Sequence, residues 1–192
     1  MRLKPIPEPP DSLDDLRAFQ RAVPLVPGST DDCCARLRDR RGLADRQTAN
    51  DWLAFLRALG LARETPRGFV RVDAEPTPER VREGLREGVL LVPEALAGLR
   101  DASPADPLTP DALFEATRES VPRHDRARDP NWEATWRERA DRLLRWLALV
   151  DLAEEIEEVE AGERGEPDEE GEPDEEGEPD ASSVAYVAGD AV

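Results

Sequence analysis

Histidine, lysine and cysteine are nearly missing from this chain. There is one histidine (His124), one lysine (Lys4) and a single pair of neighbouring cysteines, Cys33 and Cys34. One imidazole and two adjacent thiols ninety residues away cannot form the spaced ligand sets of a metal site, so no metal is expected. Adjacent cysteines on one helix point in different directions, which excludes a disulfide framework. Arg36 and Arg38 nearby would favour a thiolate, the one feature that points to a redox role for the pair. There is no Gly-x-Ser-x-Gly, no glycine-rich phosphate loop and no serine beside His124, so no catalytic residue and no cofactor site is assigned. Carboxylates are too numerous for any pair to stand out as an acid and base. Long apolar runs are also missing. The longest, around Val89–Val92 and Leu143–Val150, are far too short to span a bilayer, and Met1–Pro10 has no apolar stretch behind its basic start. The sequence predicts a cytoplasmic protein that is not an enzyme.

Acidic charge is abundant and unevenly placed. The formal net charge is -18. Residues 153–192 hold 17 acidic side chains and one arginine, whereas residues 1–152 hold 27 acidic and 25 basic side chains. The body is therefore nearly neutral. The acidic end repeats Gly-Glu-Pro-Asp-Glu-Glu from Gly165 and from Gly171, then Gly177-Glu-Pro-Asp180. Recurring Gly and Pro break helices, like charges repel, and little apolar surface is available for burial, so 162–183 is expected to be disordered. Val184-Ala-Tyr-Val187 reads as a frayed terminus, with a short docking motif as the alternative. Arginine in place of lysine together with high Asp and Glu resembles the composition of salt-in halophiles. There, hydrated carboxylates need no binding partner to explain them.

Helical signals dominate the body. Ser12 precedes an apolar stripe of Leu13, Leu16, Phe19 and Val23, and a second helix runs from about Thr30 to Arg40 with Cys33, Cys34 and Leu37 inward. Asp45 caps a third, whose stripe is Ala49, Trp52, Leu53, Leu56 and Leu59, with Phe55 beside it and Gly60 as the stop. Leu61–Thr65 and Phe69–Val72 flank Pro66-Arg67-Gly68 and predict a β-hairpin. The stretch Phe55-Leu-Arg-Ala-Leu-Gly-Leu-Ala-Arg-Glu-Thr-Pro-Arg-Gly-Phe69 resembles the junction between last helix and wing in the winged-helix superfamily, and the resemblance covers about 13–73.

A diverged second copy follows. Ala49–Ala62 aligns without gaps on Ala140–Ala153, pairing Leu53 with Leu144, Phe55 with Trp146, Leu56 with Leu147 and Leu61 with Leu152. Val23-Pro-Leu-Val-Pro27 is paired with Val89-Leu-Leu-Val-Pro93, which requires about 25 inserted residues, assigned to 100–131. Helices are predicted from Thr77-Pro78 to about Gly88, from Thr109-Pro110 to about Ser120, and from Trp132 to about Val150, the last capped by Asn131. Trp132 and Trp136 are read as core or interface residues. No second wing is apparent after Leu152. The expected fold is mostly α: tandem winged-helix-like domains with a disordered acidic C-terminal tail. The boundaries are 1–11 flexible, 12–73 the first winged helix, 77–160 the second helical domain and 161–192 the tail.

The resemblance implies a non-catalytic, DNA-associated regulatory protein whose third helix enters the major groove while the wing touches the backbone. Carried over, the DNA-binding residues are Arg46, Gln47, Asn50, Arg57 and Arg67, with Arg63 and Arg71 on the wing strands. Asp31, Asp32, Asp39, Asp45 and Asp51 interleave with these arginines, so a mixed solvated face remains open. So does the alternative of a winged-helix protein–protein adaptor with a solubilising acidic tail. The tail itself could solubilise the chain, compete for its arginines or recruit a basic partner. Double-stranded DNA and a protein are the partners considered, and a membrane is not.

Overall fold

The computed structural model describes residues 5–157 and 184–192. The acidic repeats, and the disorder expected over 162–183, lie outside the described residues, as do residues 1–4.

The first half is built as its sequence predicts. Helix α1 spans Leu13–Ala22, α2 Thr30–Arg41 and α3 Arg46–Ala58. Ser12, Ser29 and Asp45 cap them by accepting from the backbone N–H three residues on. The wing pairs β1 (Ala62–Thr65) with β2 (Gly68–Arg71) antiparallel, Thr65 opposite Gly68. Gly28, just before the Ser29 cap, adds a third short segment. Its N–H donates to the Phe69 carbonyl (2.9 Å) and its carbonyl accepts from the Phe69 N–H (2.8 Å). Gly68 has φ +114°, and a Cβ there would lie 2.0 Å from the Gly28 oxygen, so no other residue fits this crossing. Buried Gln20 fastens the exit from the wing by donating to the carbonyls of Val72 (3.0 Å) and Ala74 (2.7 Å).

The second half repeats this plan with additions. Helix α4 (Pro78–Gly88) links the halves, followed by α5 (Val92–Asp101), α6 (Pro110–Thr117) with a 3-10 turn at Arg118–Ser120, α7 (Arg123–Arg128) and α8 (Trp132–Ala148). Strands β3 (Ala153–Glu157) and β4 (Val184–Ala188) then pair antiparallel, Glu155 opposite Tyr186. Leu108, just before the Thr109 cap, exchanges two backbone bonds with Tyr186 at 2.8 and 3.0 Å, as Gly28 does with Phe69.

This geometry corrects several expectations. A second wing exists. Val184–Val187 is not a frayed end but its return strand, with Ala185 and Tyr186 fully buried. The acidic run is thus inserted between two paired strands. The structural counterpart of α1 is α5, not α4 as the pairing of Val23–Pro27 with Val89–Pro93 required, because Gly28 matches Leu108, eighty places on. Ala49 matches Ala140, ninety-one places on, so eleven residues are inserted rather than about 25, and they accommodate α7. Asn131 occupies the N-cap of α8 without a side-chain capping bond; Asp129 instead accepts from the Asn131 N–H (2.8 Å) and the Thr135 hydroxyl (2.9 Å). Residues 5–11 are docked rather than loose: Ile6 and Pro7 are buried, and Trp146 Nε1 donates to the Pro7 carbonyl at 2.8 Å.

One continuous core runs through both halves. Its centre is aromatic: Phe19 stacks on Trp52 (3.7 Å), and Phe55 meets Trp146 at 4.8 Å between ring centroids. Helix α4 closes the seam at the ends of both third helices. Gly84 and Gly88 lie so close to Leu59 and Ala58 that a Cβ would fall 2.5 and 2.6 Å from their backbone atoms. Arg82 reaches the other side, donating to the Val150 carbonyl (2.6 Å) and Asp151 (3.0 Å).

Candidate nucleic-acid interface

Helix α3 carries four of the five residues expected to meet DNA. Ala49, Trp52, Leu53, Phe55 and Leu56 are buried, Phe55 against Trp146 of the second half. At 100° per residue the arc that remains holds Arg46, Gln47, Asn50, Ala54 and Arg57. Arg46, Gln47 and Arg57 are exposed, whereas Asn50 and Ala54 are half-buried. The placement follows from the sequence: large apolar side chains fill two sides of the helix and leave one polar strip.

Three polar groups on the strip, Arg46, Gln47 and Arg57, each have a carboxylate neighbour that sets their orientation. Arg46 Nε donates to Asp31 Oδ1 at 3.2 Å, and the Asp31 carboxylate holds the guanidinium pKa above its ordinary value. The Gln47 amide donates to Asp51 Oδ1 at 2.8 Å. Burial pushes the Asp51 carboxyl up, while the Gln47 bond and the Arg139 charge pull it down. Arg57 Nη1 donates to Glu64 Oε2 on β1 at 2.6 Å, tying the helix to the wing. Arg67 stands exposed at the wing turn, where its backbone N–H donates to Thr65 Oγ1 at 3.2 Å. Exposed arginine–carboxylate pairs of this kind contribute only about 0–1 kcal/mol, so a phosphate can displace the carboxylate.

Cys33 and Cys34 are free thiols on the buried face of α2. Burial pushes both thiols up, outweighing the pull of Arg36 on Cys33 and of Arg46 on Cys34. Trp136 is buried with Arg139 over its ring at 4.6 Å, and half-buried Trp132 lies between Arg118 and Arg126. No helix among the described residues is long and apolar enough to cross a membrane.

Among the described residues, the exposed large apolar side chains are Leu25 and Val26, at 60% and 71%, in the loop leading from α1 to Gly28. From sequence, Val23–Pro27 served as the match for Val89–Pro93, and no surface role was assigned to it. The adjacent apolar pair beside Pro24 and Pro27 was the signal available.

No curated protein and no solved structure matches the chain. A family model does: that of the halobacterial double winged helix domain, over residues 1–166. The match takes in both third helices and the first wing and ends within the acidic run, before β4. Two helix–helix–wing units in one chain, each closed by the same crossing of its wing onto the segment before its second helix, agree with that description, and the chain belongs to the halobacterial double winged helix domain family.

Proposed function

We propose that this is a non-catalytic regulatory protein that binds duplex DNA through its first winged helix. The supporting observation is the composition of the free arc of α3, where Arg46, Gln47, Asn50 and Arg57 stand on the one side of the helix that the core leaves open. Gln and Asn match the paired donor and acceptor of adenine in the major groove, and Arg matches guanine or phosphate. Arg67 at the wing turn, with Arg63 and Arg71 on its strands, supplies backbone contacts.

The reading is tested by binding a mixed-sequence duplex across a potassium chloride series. The wild type is expected to bind at low salt with a steep negative log–log slope. Arg46→Ala and Arg67→Ala should each flatten that slope by about 0.9, the value of one phosphate contact. Absence of binding at low salt would sink the proposal. Binding indifferent to both substitutions would sink the assigned face.

A second reading, a protein–protein adaptor, is favoured by Leu25 and Val26, an apolar pair exposed beside the first wing. Under it, Leu25→Asp would abolish partner capture while leaving DNA affinity unchanged.

A further inference from the structure

We infer that only the first of the two winged helices reads nucleic acid, and that the outer face of the second is closed to phosphate by carboxylates of this same chain. The inference rests on α3 being the DNA-reading helix and deepens that reading.

The two third helices can be compared position by position, because their ends are built alike. In α3 the Leu61 N–H donates to the Leu56 carbonyl (2.8 Å) and the Gly60 N–H to Arg57 (3.1 Å). In α8 the Leu152 N–H donates to Leu147 (2.9 Å) and the Asp151 N–H to Ala148 (3.1 Å). Gly60 and Asp151 both take positive φ, at +69° and +59°. These are the same C-terminal motif, so the offset of ninety-one residues is structural as well as sequential. The arc of α8 equivalent to the reading strip is therefore Arg137, Glu138, Asp141, Arg145 and Ala148.

The residue type has changed at four of the five positions, with arginine kept only at Arg46 and Arg137 and gained at Arg145 in place of Ala54. Gln47 corresponds to Glu138 and Asn50 to Asp141, so two groups able to donate to bases or phosphates become groups that only accept. Arg57 corresponds to Ala148. Arg137, the counterpart of Arg46, is held by Asp111 (2.9 Å), Glu115 (3.2 Å) and Glu133 (4.0 Å). Arg145 pairs with Asp141 (2.6 Å) and with Glu8. Neighbouring Arg142 pairs with Glu8 (3.1 Å) and Glu138. Glu8, brought in by the docked N-terminal segment, thus sits across two arginines of this helix. On α3 each paired arginine of the strip meets one carboxylate; here Arg137 meets three and Arg145 two, and the carboxylates are themselves occupied.

The wings diverge the same way. The first carries Arg63, Arg67 and Arg71 against one acid, Glu64. The second has no basic residue on either strand, and the 26 residues between its strands contain thirteen acids and one arginine. A wing of that sign repels the backbone that the first wing attracts.

The test uses the full chain, a short mixed duplex at low salt, and three variants checked for wild-type circular dichroism and melting. Arg46→Ala is expected to weaken binding about tenfold or more, and Arg137→Ala to change it by less than about twofold. Glu138→Gln combined with Asp141→Asn should tighten binding by relieving repulsion. Dimethyl sulfate footprinting, which reads guanine N7 in the major groove, should show protection of one major-groove segment per chain. If Arg137→Ala weakens binding as much as Arg46→Ala, or two segments are protected, the inference is overturned while the DNA-binding reading stands. If the wild type does not bind at all, both fall together.

Discussion

Gly60 and Asp151 solve one local problem with different chemistry. Both end a third helix in the left-handed region, where a Cβ crowds the following carbonyl. A Cβ added at Gly60 would meet no packed neighbour within 4 Å, so what glycine supplies there is backbone freedom rather than space. Gly60→Ala is therefore expected to cost about 1 kcal/mol, read as a lower urea midpoint at unchanged slope. Asp151 tolerates the same dihedral as a short polar side chain and engages Arg82 at 3.0 Å. In Asp151→Gly the relief of backbone strain and the loss of an exposed ion pair oppose each other, so its midpoint should move less than that of Gly60→Ala. A larger shift for Asp151→Gly would refute the equivalence of the two helix ends.

Strand β4 shows how an element can depend on a partner that the local sequence does not reveal. Tyr186 is fully buried, and burial with the nearby Glu155 and Asp141 charges pushes its phenol up. Its backbone pairs with β3 on one side and Leu108 on the other. Removing residues 184–192 should thus abolish the cooperative unfolding transition of the shared core, whereas replacing 158–183 with a two-residue Asn-Gly turn should leave the transition in place. Differential scanning calorimetry distinguishes these outcomes, and equal damage from both deletions would show that the acidic run has a structural task. Helices α1, α3, α4 and α6 were legible because Ser12, Asp45, Thr77 and Thr109 announce their starts and the apolar stripe follows at helical spacing. The first wing was legible from Pro66-Arg67-Gly68. β4 was not, because its five residues answer a strand 26 residues upstream across a polyacidic run, and no local period reports such a pairing. Helix α5 was missed because Leu91, at φ +69°, makes no side-chain cap, and the docked segment Ile6–Pro10 because its carbonyl is read by Trp146 far down the chain. The strip on α3 was legible for the same reason as its buried side. What sequence could not show was that Asp31, Asp51 and Glu64 each hold one of its residues.

At the scale of the whole molecule, charge is the dominant variable. A chain of net charge -18 repels itself, and the Debye length shrinks from about 10 Å at 0.1 M salt to about 3 Å at 1 M. Screening also weakens favourable pairs such as Arg142–Glu8, but those are exposed and individually small. Repulsion wins, so the melting temperature should rise from dilute buffer to molar potassium chloride, and the rise should be much smaller once 158–183 is replaced by a neutral turn. A melting temperature that falls with salt would mean that the ion pairs outweigh the repulsion.

The meeting of Phe55 with Trp146 carries one more consequence. These are corresponding positions, so the helices approach as two subunits do across a two-fold axis. The surrounding pairs agree: Asp51 feels the charge of Arg139, and their counterparts, Arg142 and Thr48, line a single cleft of about 370 Å³. The chain is in effect a homodimer whose subunits share one polypeptide. In a true homodimer every substitution appears twice, and Gln47 could not become glutamate on one side alone. Covalent fusion removes that constraint while preserving the isologous contact, so one half can carry Gln47 and Asn50 where the other carries Glu138 and Asp141.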